Sequence, residues 1–156
     1  MLLAAHKFGF GVDYEAKTAT IFNEGTQKFN LTTLSTIAFA IAGVLRSPAQ
    51  YVNKEVYIHD WYTTQLEVLS IVEAELGVPL ERTRLDLAKV GDQSLAGLRR
   101  EERTLENIYG ALRYAVWGEE GAADWDEKDD SSVALGLPRK DLKAQIKKKM
   151  AEVLQL

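Results

Sequence analysis

Apolar positions fall into a few periodic runs, and the most extended of them covers residues 29–45 (FNLTTLSTIAFAIAGVL). Leu34, Ile37, Ala38, Ile41, Ala42 and Leu45 recur at steps of three and four, which lays them along one face of a helix. Thr32 or Thr33 offers a hydroxyl to cap its start, and Ser47-Pro48 ends it. The other face carries Phe39, Ala40 and Val44, and Thr36 is the only polar side chain between Ser35 and Arg46. A helix apolar nearly all round is buried or covered by a partner. The remaining elements must be arranged around it.

Before this helix, residues 1–17 read as an irregular lead-in with Phe8-Gly9-Phe10-Gly11 and a turn from Asp13 to Lys17. The stretch 18–22 (TATIF) alternates β-formers as a strand does and is closed by Asn23-Glu24-Gly25. After the helix, residues 55–58 (EVYI) form a compact strand candidate, followed by a loop His59-Asp60-Trp61-Tyr62. Thr64 and Glu67 have capping-box spacing, each able to satisfy the other's free backbone N–H. They open a helix over 65–76 with a wide apolar surface, ended by Gly77 and Pro79.

Residues 82–87 (RTRLDL) alternate as a strand, and a polar, glycine-containing region follows. Thr104 then caps a helix in which Leu105, Ile108, Leu112 and Ala115 share a face and which Gly118 ends. Pro138 opens a last helix with Leu142, Ile146, Met150 and Val153 on one side. The expected class is α/β, of a small α+β-like kind: a few-stranded sheet packed with four to five helices, in a single domain over residues 1–156.

Composition narrows the function more than the fold. With 46% apolar and 27% charged residues the chain is an ordinary globular one. A net charge of −4 supplies no positive footprint for DNA or RNA, so no nucleic-acid partner is expected. Arg139, Lys140, Lys143, Lys147, Lys148 and Lys149 crowd the last helix, but seven acids against one lysine over 119–130 counter them locally. The absence of cysteine rules out disulfides, thiolate metal ligands and cysteine nucleophiles, and fits a reducing cytosol. MLLAAHKF is too short for a signal-peptide core, and no run is long enough to span a bilayer, so a cytoplasmic protein with no membrane partner is expected. The sequon Asn30-Leu31-Thr32 is then expected to stay unused.

Two clusters carry candidate chemistry. In the first, His59 can act as acid or base near neutral pH, Asp60 can orient it or bind a polar ligand group, and Trp61 and Tyr62 can stack on an apolar substrate. The second lies on the late helix: Tyr109 and Arg113 are four apart and Tyr114 and Trp117 three apart, so they are neighbours able to line a pocket. We therefore take His59, Asp60 and Tyr109 as catalytic candidates, and Trp61, Tyr62, Arg113, Tyr114 and Trp117 as substrate-binding candidates. Aromatic residues at helical spacing are also what a plain core contains, and Trp125 in the acidic stretch is read as a loop anchor. No metal site is expected, because His6 and His59 share no ligand spacing and Asp124, Asp126, Asp129 and Asp130 lack a calcium loop's glycine and closing glutamate. No Gly-x-Ser-x-Gly is present.

Taken together, FGFGVDYEAKTATIFNEGTQKFNLTTLSTIAFAIAGVL, NKEVYIHDWYTTQLEVLSIVEAELG, LENIYGALRYAVWG and LGLPRKDLKAQIKK resemble the second, substrate-binding half of an NmrA-like protein. That family comprises isoflavone-reductase-like and fungal aromatic-alcohol-reductase-like atypical short-chain dehydrogenases. The resemblance implies a truncated NmrA-like substrate domain that lacks the family's Rossmann half, its Gly-rich dinucleotide turn and its catalytic lysine. Gly9-x-Gly11 has Tyr14 where a third glycine would stand, and no tyrosine has a lysine four residues on, so no cofactor is expected and self-sufficient reduction with a nicotinamide is not implied.

In the family the central helix packs against the nucleotide half, and exposed apolar area is costly at about 25 cal/mol per Å². A homodimer that buries the region around Phe39 is the expectation. The functional expectation is a cofactor-independent enzyme of fungal secondary metabolism. It would bind an apolar small molecule and promote cyclisation, pericyclic rearrangement, isomerisation or dehydration by shape and hydrogen bonding. The alternatives are a non-catalytic binding or regulatory NmrA-like protein, or one fragment of a split NAD(P)H-dependent reductase.

Overall fold

The computed structural model describes residues 10–118, 121, 123–125 and 130–154. It is a small α+β arrangement with a three-stranded mixed sheet, a two-stranded sheet and five α-helices among the described residues. Strand β1 (Val12–Asp13) runs antiparallel to β2 (Thr18–Phe22), and β2 pairs in parallel with β5 (Glu81–Leu85), with Thr20 opposite Thr83. Strands β3 (Lys28–Leu31) and β4 (Trp61–Thr64) form the second sheet, antiparallel, with Asn30 opposite Tyr62. The helices are α1 (Leu34–Arg46), α2 (Gln65–Leu76), α3 (Leu87–Arg99), α4 (Leu105–Trp117) and α5 (Leu142–Leu154). None of them is long and apolar enough to cross a membrane.

The core gathers on α2, whose Val68, Leu69 and Val72 are fully buried together with Phe29, Leu87 and Ile146. Gln65, also buried, ties the first turn of α2 to the larger sheet. Its Oε1 accepts from Phe22 N at 2.8 Å, and its Nε2 donates to the carbonyls of Phe10 and Thr20, each at 2.9 Å. One polar side chain thereby satisfies three buried backbone groups, each of which would be costly if left unpaired.

The capping box at Thr64 forms as its spacing implies, with the Thr64 hydroxyl accepting from Glu67 N and the Glu67 carboxylate accepting from Thr64 N. Gly77 ends α2 in the left-handed conformation at φ 69°. Hydrogen bonds from the Thr63 hydroxyl and then the Thr64 N–H hold the Glu67 carboxyl below its usual range. A depressed folded pKa contributes stability that is complete above the unfolded value, roughly 4.3, and is lost as pH falls through the folded one. Part of the fall in Tm between roughly pH 5 and pH 3 is therefore expected to vanish in Glu67→Gln, as read by thermal scans across that range. An equal slope in both proteins would show that the cap carries none of it.

Helix α3 arises where the sequence offered only a polar, glycine-containing stretch. Its buried positions are Leu87, Gly91, Ser94 and Gly97, so the stripe it turns inward is one of small size more than of hydrophobicity. A Cβ on Gly91 would come 2.4 Å from the Tyr114 ring, one on Gly97 2.3 Å from the Asn107 amide, and one on Gly110 of α4 2.0 Å from Ser94 Oγ. These close approaches let α3 and α4 lie together.

Two further features depart from the sequence reading. Residues 55–58 contribute only an isolated parallel bridge between Tyr57 and Asp130, and the strand forms at Trp61–Thr64 instead. The last helix begins at Leu142, not at Pro138, with Asp141 Oδ1 accepting from Ala144 N. Asn30 is buried and its amide donates to the Ala123 carbonyl at 3.1 Å, which removes the sequon from glycosylation in the folded state. His6, Asp126 and Asp129 lie outside the described residues.

Helix α1 is built as its periodicity predicts but not buried. Thr33 caps it by accepting from Thr36 N, and only Thr36 and Ala40 are buried. Gly43 faces Leu135, whose side chain would stand 3.0 Å from an added Cβ. The helix thus rests on a seam of small residues, while Leu34, Ile37, Ile41 and Leu45 face outward.

Candidate functional site

A groove of about 760 Å³ runs beside the start of β4. Trp61 and Tyr62 give it aromatic surface, and Leu137, Pro138 and Leu142, from the segment leading into α5, give it aliphatic surface. Polar groups come from His59, Thr63, Asp130, Ser132 and Lys140, with Lys28 at one side. The groove therefore joins residues 28, 59–63 and 130–142, which the fold brings together through the Tyr57–Asp130 bridge and the hydrogen bond from Trp61 Nε1 to the Lys140 carbonyl at 2.7 Å.

His59 is half-buried. Its backbone N–H donates to Ser132 Oγ at 3.3 Å, and its Nδ1 lies 3.8 Å from Asp130 Oδ1, within Coulombic reach but beyond a hydrogen bond. Among the described residues Nδ1 is buried with no hydrogen-bond partner. Asp130 Oδ1 meanwhile accepts from both the N–H and the hydroxyl of Ser132, at 2.9 and 2.5 Å. Tyr62 donates to Asp124 Oδ1 at 2.8 Å, and Lys28 Nζ sits 4.8 Å from the Tyr62 ring centroid as a cation over its face.

Asp60 plays a different part from the one its neighbour His59 suggests. Its carboxylate side chain has no exposed surface, and it accepts from Thr33 N at 2.6 Å and from the Thr36 hydroxyl at 2.7 Å. Lys140 Nζ approaches it to 3.5 Å while donating to the hydroxyls of Thr33, Ser35 and Thr36. Asp60 is therefore a staple that holds the N-terminus of α1 against the segment leading into α5. A carboxylate there is favoured by the unpaired N–H groups and the positive end of the helix dipole.

The second cluster divides and joins none of this groove. Trp117 is buried, with ring centroids 4.9 Å from Phe22, 5.4 Å from Phe29 and 5.5 Å from Phe10, edge-on to the last two. Tyr114 packs over Gly91 and Gly118 between α3 and α4. Arg113 lies 5.5 Å from the Phe22 ring and borders a separate cleft of about 340 Å³ with Gly11 and Asp13, and burial pulls its guanidinium pKa down. Tyr109 is half-buried on the same helix. Phe39 is exposed on α1. Trp125 lies 5.6 Å from the Tyr57 ring.

Sequence reasoning missed Asp130, Ser132 and Lys140 as neighbours of His59 and Asp60. They lie some 70 to 80 residues away along the chain, and no local spacing signals them. Among the described residues no group of three or more His, Cys, Asp or Glu side chains could hold a metal ion.

A dinucleotide's diphosphate calls for a glycine turn that opens a helix, with free N–H groups at the helix end. The described residues do not fit one. Gly11, at φ 74°, leads into β1 and lies against the Thr20 carbonyl, 2.6 Å from an added Cβ. The N-termini of α1 to α5 are filled by Thr33 with Asp60, Thr64 with Glu67, Asp86, Thr104 and Asp141 respectively.

No protein-family profile matches the chain, and no curated protein does. Solved structures do. "AtPrR2 in apo form" superposes with a TM-score of 0.60 at 20% identity, over 85% of this chain and 44% of that one. "AtPrR2 with NADP+ and (+)pinoresinol" gives a TM-score of 0.64 at 21% identity, over 85% of this chain and 42% of that one. The chain thus shares the fold of a stretch of AtPrR2 and spans less than half of that protein's length.

Proposed function

We propose that this chain is a small-molecule-binding protein built on the substrate-side half of an NmrA-like fold, and that its ligand lies in the groove beside β4. The observation that carries the reading is the groove itself, where Trp61 and Tyr62 provide ring-stacking surface next to the polar groups of His59 and Ser132. Such a mixture suits a ring compound with a few hydroxyl groups, since ligand sites combine apolar walls with a small number of placed polar groups. The fold likeness to a protein solved with NADP+ and (+)pinoresinol supports the same ligand class. The stretches from FGFGVDYE to LKAQIKK resemble the substrate half, and the poor fit of the described residues to a diphosphate supports the same reading.

The test is a titration of (+)-pinoresinol, and separately of NADP+, followed by tryptophan fluorescence in the wild-type protein and in Trp61→Phe. A saturable change with (+)-pinoresinol, absent in Trp61→Phe and independent of NADP+, is the expected result. Saturable NADP+ binding by the chain alone, or no response to (+)-pinoresinol, overturns it.

A second reading, cofactor-free catalysis, is favoured by one observation: the buried Nδ1 of His59 beside the Asp130 carboxylate. An imidazole that borders the groove beside a carboxylate is placed to exchange protons with a bound ligand, as isomerisation, cyclisation or dehydration requires. Turnover of the bound ligand without nicotinamide, reduced at least 100-fold in His59→Gln with binding retained, would select it. Binding without turnover selects the non-catalytic protein.

A further inference from the structure

Among the described residues nothing covers the outward stripe of α1. Leu34, Ile41 and Leu45 are 63, 56 and 71% exposed, and Ile37 is 39% exposed. At 100° per residue, these four with Ala38 and Ala42 cover about 140° of the helix. The stripe carries no charge, and Arg46 turns aside to donate from Nε to the Ala42 carbonyl at 3.1 Å. Surface of this kind on a single copy marks a site of association.

We propose that a second copy of this chain covers it, with the two α1 helices antiparallel about a two-fold axis that passes between residues 39 and 40. The order of side-chain sizes along the stripe is what selects this occupant. Reversing the helix on itself sets Leu34 opposite Leu45, Ile37 opposite Ala42 and Ala38 opposite Ile41. Each inner layer then pairs an isoleucine with an alanine, so knobs meet gaps and the backbones approach evenly. A parallel pair would set isoleucine on isoleucine in one layer and alanine on alanine in the next, crowding the first and leaving the second hollow.

The stripe is thus complementary to itself, which a two-fold interface requires. Antiparallel alignment also sets each helix's positive end beside its partner's negative end. With no charge on the stripe, nothing there recognises an acidic or a basic partner. A 13-residue helix is about 20 Å long. Pairing two of them closes on the order of 1,000 Å² in total, the lower end for a specific interface, so association in the micromolar range is expected. Phe39 falls on the flank, about 140° from Leu34, and the centre of the contact is Ala38 and Ile41.

The proposal is independent of the groove, and its test needs no ligand. Sedimentation of the wild-type chain between roughly 1 and 100 µM should show a monomer–dimer equilibrium. Ala38→Arg, at an exposed position, should weaken it at least 10-fold with the circular dichroism spectrum unchanged. The chain has no cysteine, so introduced thiols report the orientation cleanly. Leu34→Cys mixed with Leu45→Cys should cross-link on oxidation. Either alone should not, because like positions lie about 16 Å apart along the axis. A monomer throughout, an unaltered dimer in a folded Ala38→Arg, or cross-linking of Leu34→Cys with itself as fast as in the mixture would each overturn the proposal.

Discussion

Replacing Trp117 with alanine is expected to destabilise the protein by about 4 kcal/mol, enough to cancel much of the stability of an ordinary domain. The indole touches three phenylalanine rings that come from the start of the described chain, from β2 and from β3, and it hangs from the last turn of α4. Truncation would empty the place where these elements meet, and the edge-on contacts with Phe10 and Phe29 would be lost as well. Trp117→Phe should cost less, about 1 to 2 kcal/mol, because a ring still fills most of the space. Urea unfolding at constant m-value measures both. A loss under about 1 kcal/mol in Trp117→Ala would mean that the side chain faces a ligand space and is not a structural hub.

Asp60→Ala is expected to follow, at about 3 kcal/mol. The substitution leaves the Thr33 N–H and Lys140 without their anionic partner, at a position where the carboxylate itself has no exposed surface. Asp60→Asn keeps one acceptor oxygen and should lose about half as much. The comparison also separates two roles. If Asp60 oriented a catalytic imidazole, Asp60→Asn would depress turnover well beyond its effect on the fraction folded. As a staple at the N-terminus of α1, it should instead lower the urea midpoint and leave ligand affinity of the folded fraction intact.

These two residues also show where sequence reasoning reaches and where it stops. Strand β2, the capping box at Thr64 and the starts of α1 and α4 at Thr33 and Thr104 were legible, because each depends on residues within one turn of one another. Helix α3 was not, since Gly91, Ser94 and Gly97 point inward and a hydrophobicity pattern cannot register a stripe defined by small volume. Strand β3 lay hidden at the head of the apolar run 29–45, where Phe29, Asn30 and Leu31 were included with the helix that follows.

For the site, the sequence brought His59, Asp60, Trp61 and Tyr62 to attention, and all four border one groove. Their division of labour was invisible. Asp60 turns to α1 and Asp130 faces His59 because residues from the far end of the chain fold back over β4, and nothing local encodes that return. Trp117 followed the same helical spacing as a pocket wall would, and only the positions of Phe10, Phe22 and Phe29 distinguish the two.

Helix α1 meets its own domain through Thr36, Ala40 and Gly43, and shows the solvent its largest side chains. Mutational tolerance should therefore divide along its length by face. Enlargement along the inner seam would lift the helix from Leu135 and be purged in any lineage, whereas the outer leucines and isoleucines can be exchanged without harm to the fold. Descendants of this chain could thus acquire or lose an associate by drift on one side of a single helix while the scaffold beneath stays the same.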